Sequence, residues 1–417
     1  MIPIIPVSQL QRRGAQAPGG RLATLPPLTL YVHYPWCLRK CPYCDFNSHQ
    51  HPAGIEDIPE TRYLDALRAD LEQSLPLVWG RKVHAVFIGG GTPSLLSAAG
   101  LDRLLSDIRA LLPLEADAEI TLEANPGTVD AERFERIHAA GINRLSMGVQ
   151  ALNDADLKFL GRRHGVAEAR TAWRAAAKIF PRTSFDLIYA RPKQTLAMWE
   201  EELREALDEV QRHGITHLSL YQLTMEDGTP MAAEHARGKF VLPVEDDAAV
   251  MYERTQALCD AAGFPAYEVS NHAAEGAACR HNLTYWRGGD YVGVGPGAHG
   301  RLTLDGATRA TRATRQIKAP AIWLKRVDRD GHGTQEDELL TAEARAEELV
   351  MVGLRVSDGL DKDRFARLAG RPLESLIDPT GLAMLTRENL LQDTPSRLVA
   401  TPRGRLALNA VIKALLA

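Results

Sequence analysis

The sequence predicts an α/β protein: a parallel sheet forming a barrel or partial barrel, followed by a smaller α+β module. Three observations carry this. Short β-branched or apolar runs alternate with amphipathic helical stretches six times between residues 28 and 221. Connections of that length join parallel strands. Beyond residue 339 the texture changes to helices with one short hairpin.

The strand candidates are 28–33, 85–88, 119–123, 145–149, 184–189 and 217–221. Between the first two, residues 62–75 place Leu64, Leu67, Leu71 and Leu75 on one helix face. Residues 101–112, 131–140, 167–180 and 198–213 read the same way. Gly141 and Gly214 stand where helix C-terminal caps belong. Residues 266–270 read as a seventh strand entering a loop region, 271–300. The basic, Thr-rich stretch 303–318 reads as surface loop within a connecting region, 301–338. In 339–417, helices are expected at 341–354, 361–368 and 379–388, then strands 390–392 and 398–401 joined by 393–397, then a last helix 402–416. That order predicts a winged-helix-like module. It has no basic recognition helix, so packing or partner docking is expected of it rather than nucleic-acid binding. Residues 1–27, rich in Pro, Gly and Gln, are expected to form a flexible leader.

The chain has 417 residues, which suits a large domain plus a smaller one. With 45% hydrophobic and 24% charged residues it can bury an ordinary core. A formal net charge of -4 gives no sign of nucleic acid or an anionic membrane as partner. No apolar run is long enough for a membrane span. The apolar start, MIPIIPV, is short, contains two prolines and lacks a basic segment, so no secretory signal is expected. The 5 cysteines are too few and too unevenly spaced for a disulfide framework. Three of them within eight residues point to metal or cluster chemistry in a reducing compartment, and a cytoplasmic location is expected.

Those three stand in YVHYPWCLRKCPYCDF, residues 31–46, as C-x₃-C-x₂-C at Cys37, Cys41 and Cys44. Thiolates are the natural ligands of iron–sulfur clusters, and three on one loop can hold three irons of a cubane, leaving a fourth iron open. Zinc usually takes four ligands in paired spacings, and His49 and His51 keep that alternative open. Tyr43, just before Cys44, either packs or stacks on an adenine base. A second motif, GGGTP at 89–93, leaves a strand through glycines that permit close backbone approach. It is neither a Walker loop nor a dinucleotide fingerprint. Polar residues then recur at the ends of successive strands: Glu123, Gln150 and Asp186. Barrel active sites form at that face. Arg162 either caps a helix end or meets a carboxylate.

With an aromatic before its last Cys, the C-x₃-C-x₂-C motif resembles that of the radical SAM superfamily. Residues 31–300 further resemble the oxygen-independent coproporphyrinogen III dehydrogenase branch, and within it the HemW family of heme chaperones. The residues that carry this are YVHYPWC (31–37), GGGTP (89–93), GINRLSMGVQ (141–150), FDLIY (185–189), HNLTYW (281–286) and GVGPGAH (293–299). The resemblance implies a partial (β/α)6 TIM-like radical SAM barrel over 28–300. It implies a [4Fe-4S] cluster on Cys37, Cys41 and Cys44 whose open iron takes S-adenosylmethionine (SAM). The SAM contacts it implies are Tyr31, Gly90, Gly91, Thr92, Glu123, Gln150, Arg162 and Asp186.

Two features separate the branches. The dehydrogenase carries a further Cys two residues after the third cluster ligand, where this chain has Phe46. The HNxxYW segment goes with heme handling in the chaperones. The resemblance therefore implies a carrier that binds heme and passes it to an acceptor protein, a respiratory one among the possibilities. It also implies a homodimer tied to cluster loading. The alternative is the dehydrogenase itself, which oxidatively decarboxylates porphyrinogen propionates. A plain iron–sulfur electron carrier is disfavoured by the glycine loop and polar strand ends. His281 is the candidate axial heme ligand, with Asn282, Tyr285 and Trp286 beside it; Cys279 and His299 compete. Cys259 is expected to be a buried small residue. Residues 190–192 read Ala-Arg-Pro where the family often has Gly-Leu-Pro, which leaves the substrate side open. No catalytic residue is assigned.

Overall fold

The computed structural model describes residue 22 and residues 24–51, 57–304 and 308–416. Most of the expected leader, residues 1–21 and 23, lies outside the described residues. Strands β1 (Leu28–Tyr34), β2 (Val83–Gly90), β3 (Leu114–Ala124), β4 (Arg144–Gln150), β5 (Arg182–Tyr189) and β6 (His217–Gln222) lie side by side in chain order. Every neighbouring pair is parallel. Helices Glu60–Glu72, Ala98–Leu111, Ala131–Ala139, Val166–Ile179 and Leu196–His213 make the crossovers, and Glu245–Ala261 follows β6. This is the (β/α)6 partial barrel of the sequence prediction.

Local chemistry explains the layers. In β1, Leu28, Leu30, Val32 and Tyr34 are buried on one face, and the alternate residues Thr29, Tyr31 and His33 take the other. Helix Glu60–Glu72 buries Leu64, Leu67 and Leu71, each worth about 1.5–3 kcal/mol of apolar burial. Gly141 and Gly214 do follow helices with left-handed φ of 112° and 67°, a conformation that glycine adopts without a Cβ penalty.

The sheet does not stop at six strands, and here the loop expectations are corrected. The seventh strand, β7, is Asn271–Ala273, antiparallel to β6, not 266–270. Ala266 and Glu268 form only isolated bridges. The buried Glu268 carboxylate accepts from Ser270 N and Asn271 Nδ2, which turns the chain back on itself. The expected loop 271–300 also contains helix Arg280–Trp286 and β8 (Asp290–Val294), parallel to β1 on the edge away from β2. Then β9 (His299–Thr303), β10 (Thr311–Gln316) and β11 (Thr334–Leu339) continue antiparallel, with helix Pro320–Asp330 before the last. Among the described residues the result is one sheet of eleven strands. The stretch 303–318 was expected as surface loop because its strand is polar. Arg312 and Arg315 pair across to Asp337 and Glu336 on β11, so charge pairs replace apolar alternation at this edge.

The C-terminal residues form their own core around Leu349, Phe365, Leu385, Leu398 and Val411. Helices Ala342–Gly353, Lys362–Ala369 and Pro379–Arg387 pack with a small sheet. Its strands β12 (Leu360–Asp361), β13 (Leu391–Asp393) and β14 (Arg397–Ala400) run in the order β12-β14-β13. The expected last helix is two, Pro402–Leu406 and Leu408–Leu415, broken at Ala407 with φ -111° and ψ 29°. Among the described residues no helix is long and apolar enough to cross a membrane. Cys259 is fully buried.

Candidate functional site

After β1 the chain extends through Trp36–Cys37, which pairs in parallel with His49–Gln50 and closes a loop over 38–48. His49 N–H donates to Pro35 O at 2.7 Å, and Cys44 N–H to Cys41 O at 3.1 Å. All three motif thiols therefore sit on one short, pinned loop. Each meets a different polar side chain. Thr92 Oγ1 donates to Cys37 Sγ at 3.4 Å, Ser48 Oγ lies 3.4 Å from Cys44 Sγ, and Arg162 Nη1 donates to Cys41 Sγ at 3.6 Å. Burial pushes the Cys37 thiol up to about 11 and Cys44 upward, against the pull of the Thr92 and Ser48 hydroxyls. A bound metal reverses that balance, because coordination favours the thiolate. Among the described residues no three His, Cys, Asp or Glu side chains are already gathered for a single metal ion. His49 bonds Asn47 Oδ1, and the His51 ring stands edge-on to Trp36.

The glycine loop is stitched to the same strand. Gly91 N–H donates to Tyr34 O at 2.6 Å and Thr92 N–H to Trp36 O at 2.8 Å. A Cβ at Gly91 would stand 2.5 Å from Trp36 O, so only glycine fits. Gly90, at φ 113°, donates its N–H to Glu123 Oε2 at 2.9 Å. Burial, with Asp186 nearby, raises Glu123 to about 7. Burial raises Asp186 to about 6, against Ser219, Arg144 and Arg162, and its Oδ1 is buried without a hydrogen-bond partner among the described residues. Gln150 ends β4 at φ 79°, beyond a register shift after Gly148. A non-glycine residue there is strained, a feature that concentrates at functional sites. Arg162 Nη2 donates to Gly148 O at 2.6 Å, which sets its guanidinium between β4 and Cys41 while Nε has no partner. Tyr31 shares a 2.9 Å hydrogen bond with His33 Nδ1, and His33 Nε2 lies 2.9 Å from Asn47 O on the cysteine loop.

Of the eight residues singled out beside the thiols, Gly90, Gly91, Thr92, Glu123, Gln150 and Arg162 lie at the carboxyl ends of β2 to β4 or in the segments that follow them, while Tyr31 and Asp186 stand midway along β1 and β5. Sequence reasoning missed Ser48, Asn47, His33, Arg144 and Ser219. Ser48, four residues after Cys44, was within reach as a thiol partner. His33, Arg144 and Ser219 needed the strand register, which alone puts them on the inner face, and Asn47 needed the tertiary contact of its loop with Pro296 O and Lys318 O.

The HNLTYW residues lie on the far side of Tyr31 from the cysteine loop. Arg280 N–H donates to Glu119 Oε1 at 2.8 Å, and Arg182 Nη2 donates to Ala277 O at 2.8 Å, which seats this segment across the amino ends of β3 and β5. His281 Nδ1 lies 3.2 Å from Thr29 Oγ1, and its ring stacks on Tyr31 and Phe87 with centroids 5.9 and 5.1 Å apart. Burial, with His84 and Arg144, lowers it to about 3. Asn282 Nδ2 donates to Tyr267 Oη at 3.2 Å. Tyr285 packs on Trp286 and Tyr291, and the Arg355 guanidinium covers Trp286 at 5.5 Å. Cys279 is buried, its thiol pushed up to about 11 by desolvation against Arg144. His299 lies on β9, lowered to about 4 by burial and by Arg301 and Arg315. The Ala-Arg-Pro departure resolves as structural: Arg191 is 2% exposed and donates to Glu202 and to Ile188 O at 2.7 Å.

Known proteins place this arrangement. The Radical SAM superfamily matches residues 31–206 and the HemN C-terminal domain matches 340–407. The heme chaperone HemW of Escherichia coli (strain K12) is 39% identical over 398 residues, covering 95% of this chain and 100% of that one. The chain belongs to the HemW family. Heme chaperone HemW of Mycobacterium tuberculosis (strain ATCC 25618 / H37Rv) is 37% identical, over 95% of this chain and 97% of its own. A Mus musculus relative, the mitochondrial radical S-adenosyl methionine domain-containing protein 1, is 40% identical over 87% of this chain and 80% of that one. The fold matches coproporphyrinogen III oxidase (HemN) from Escherichia coli with a TM-score of 0.77 at 24% identity, over 94% of this chain and 91% of that one.

Proposed function

We propose that the chain is a heme chaperone built on a radical SAM scaffold. In this reading Cys37, Cys41 and Cys44 hold a [4Fe-4S] cluster and the strand ends bind SAM. Heme is the cargo, handed to an acceptor protein. The carrying observation is that each thiol on the pinned loop has its own polar partner: Thr92, Ser48 or Arg162. The surroundings fit the implied groups. A buried Asp186 oxygen and the Arg162 Nε await partners, and Glu123 sits near neutrality at the mouth. Bound there, the cluster and SAM supply one-electron chemistry.

The chain's own part is to hold and orient. Arg162 places positive charge against the Cys41 thiolate, and the Thr92 and Ser48 hydroxyls stabilise the other two. Gly90, Gly91 and Thr92 bring backbone close to the methionine end of SAM. Tyr31, Glu123, Gln150, Arg162 and Asp186 surround its remaining polar groups. Phe46 is 56% exposed where the dehydrogenase branch has its further Cys, so the loop offers no fourth thiol.

His281, Asn282, Tyr285 and Trp286 are proposed for heme. His281 is held in its ring stack, so ligation requires helix Arg280–Trp286 to release it. A cytoplasmic location, a respiratory acceptor and a homodimer belong to the same reading, with the C-terminal module, 339–417, for docking.

The test is anaerobic reconstitution with SAM, reductant and coproporphyrinogen III, following 5′-deoxyadenosine and protoporphyrinogen, with heme binding titrated in parallel. Stoichiometric heme binding without protoporphyrinogen supports the chaperone. Both products, lost in Cys41→Ser, mean the dehydrogenase instead.

A further inference from the structure

Where the C-terminal module meets the barrel, a chamber of about 140 Å³ lies between helix Arg280–Trp286 and helix Lys362–Ala369. Its apolar walls include Trp286, Leu349, Leu360, Phe365 and Leu368. Three guanidinium groups, Arg287, Arg364 and Arg397, line it together with two carboxylates, Asp358 and Asp361. Both carboxylates are engaged. Asp358 Oδ2 accepts from Arg287 Nη2 at 3.2 Å and from Arg397 Nη1 at 3.1 Å. Asp361 Oδ1 caps its helix by accepting Arg364 N–H at 2.7 Å, and its Oδ2 lies 3.8 Å from Arg397 Nη2. The Arg364 guanidinium makes no hydrogen bond or ion pair among the described residues. Burial disfavours its charge and Arg287 and Arg367 add to that, against the pull of Asp361 and Asp358.

The Arg287–Asp358–Arg397 pairs have an ordinary structural account: they are exposed and contribute little to stability. That account does not reach Arg364. A half-buried cation without a hydrogen-bond partner costs stability, so packing gives no reason to keep it.

Volume and chemistry select the ligand. A dry apolar cavity of similar volume accepts a benzene-sized molecule, so the chamber holds one arm of a larger ligand rather than a whole macrocycle. Apolar walls beside an unengaged guanidinium suit a short hydrocarbon arm that ends in a carboxylate. A guanidinium takes such a carboxylate through two parallel N–H···O bonds. Heme carries two arms of this kind, its propionates.

We propose that this chamber receives one propionate of the heme cargo, with its methylenes against Trp286 and Phe365 and its carboxylate on Arg364. The inference rests on the heme reading above. It makes the C-terminal module part of the cargo site. Arg287, exposed at the opening, draws the anion in. The propionate then anchors heme beside the end of the helix that carries His281, before that helix releases its ring.

The experiment titrates full-length protein with heme, followed by Soret absorbance, and separately with heme dimethyl ester, whose propionates carry no charge. A parent that binds neither in stoichiometric amount defeats the heme reading, and this inference with it; the outcomes below bear on the inference alone. The parent's Kd for heme is expected to lie about tenfold below its Kd for the ester. Arg364→Gln should raise the heme Kd about tenfold and leave the ester Kd where it was. Arg364→Lys, which keeps the charge but not the planar fork, should fall between. Arg287→Gln stands in if the Arg364 variants do not fold, and should raise the heme Kd severalfold without moving the ester. Equal affinity of the parent for heme and ester overturns the proposal. So does an Arg364→Gln protein that binds heme as the parent does or loses both ligands alike, and so does an unchanged heme Kd in Arg287→Gln.

Discussion

Glu123→Gln separates the cost of a buried charge from its use. In the unfolded chain this carboxyl ionises near 4.5, and in the folded chain near 7. Between those values the folded state keeps a proton that the unfolded state has lost, so stability falls as pH rises through the window and is level above it. Each pKa unit is worth about 1.4 kcal/mol, so the ionised carboxylate costs at most about 3 kcal/mol above pH 7. Part of the residue opens on the mouth, where water screens it, so about 2 kcal/mol is the working figure. Glutamine is neutral at every pH and keeps an acceptor for Gly90 N–H. Urea unfolding of the cluster-free protein is the assay. The variant should be about 2 kcal/mol more stable than the parent at pH 8 and equal to it at pH 4.5. In the loaded protein the same change should weaken SAM binding by roughly 10- to 100-fold, since a charge-assisted hydrogen bond is worth about 1.5–3 kcal/mol. A variant less stable than the parent at pH 8, or SAM affinity left intact, would refute the reasoning.

Three further outcomes follow from the geometry. Arg191→Met removes the buried cation that Glu202 faces, while Glu202 still accepts from Leu152 N and Gln194 Nε2; a loss of about 3–5 kcal/mol in urea unfolding is expected. Ala190 lies at φ 56°, so Ala190→Gly should stabilise the fold by about 1 kcal/mol, and a destabilised variant would show that this strain is not real. Gly91→Ala drives a Cβ to 2.5 Å from Trp36 O, a backbone atom next to Cys37. Iron retained per chain after reconstitution should fall well below the parent's, and full retention would mean that the glycine loop does not fix Cys37.

Much of the fold could be read before any coordinates. The six parallel strands carry apolar residues on the helix side, and their crossover helices carry an apolar stripe, so both periods are written in the residues. The outer strands could not be read this way. In β10 and β11 the pairing is made by Arg312–Asp337 and Arg315–Glu336, and a polar strand on a sheet edge has no hydrophobic period to reveal it. The 266–270 stretch misled for the opposite reason. Its alternation is strand-like, but the buried Glu268 bonds Ser270 and Asn271 locally, which wins over the ladder.

The residue types alone pointed to the ligand chemistry: three thiols with three and two residues between them, a glycine turn, and acids on successive strands. Family membership rests on that text and on the relatives that share it. Tertiary structure decided which groups face one another. It set Arg162 against Cys41, 121 residues away in sequence. It put His281 against Thr29, Tyr31 and Phe87 in the first halves to middles of β1 and β2, while the thiols follow the carboxyl end of β1. The physical reason is that a side chain's charge and donors are local properties, whereas its partner is fixed by strand register and sheet curvature, which no single stretch of sequence contains.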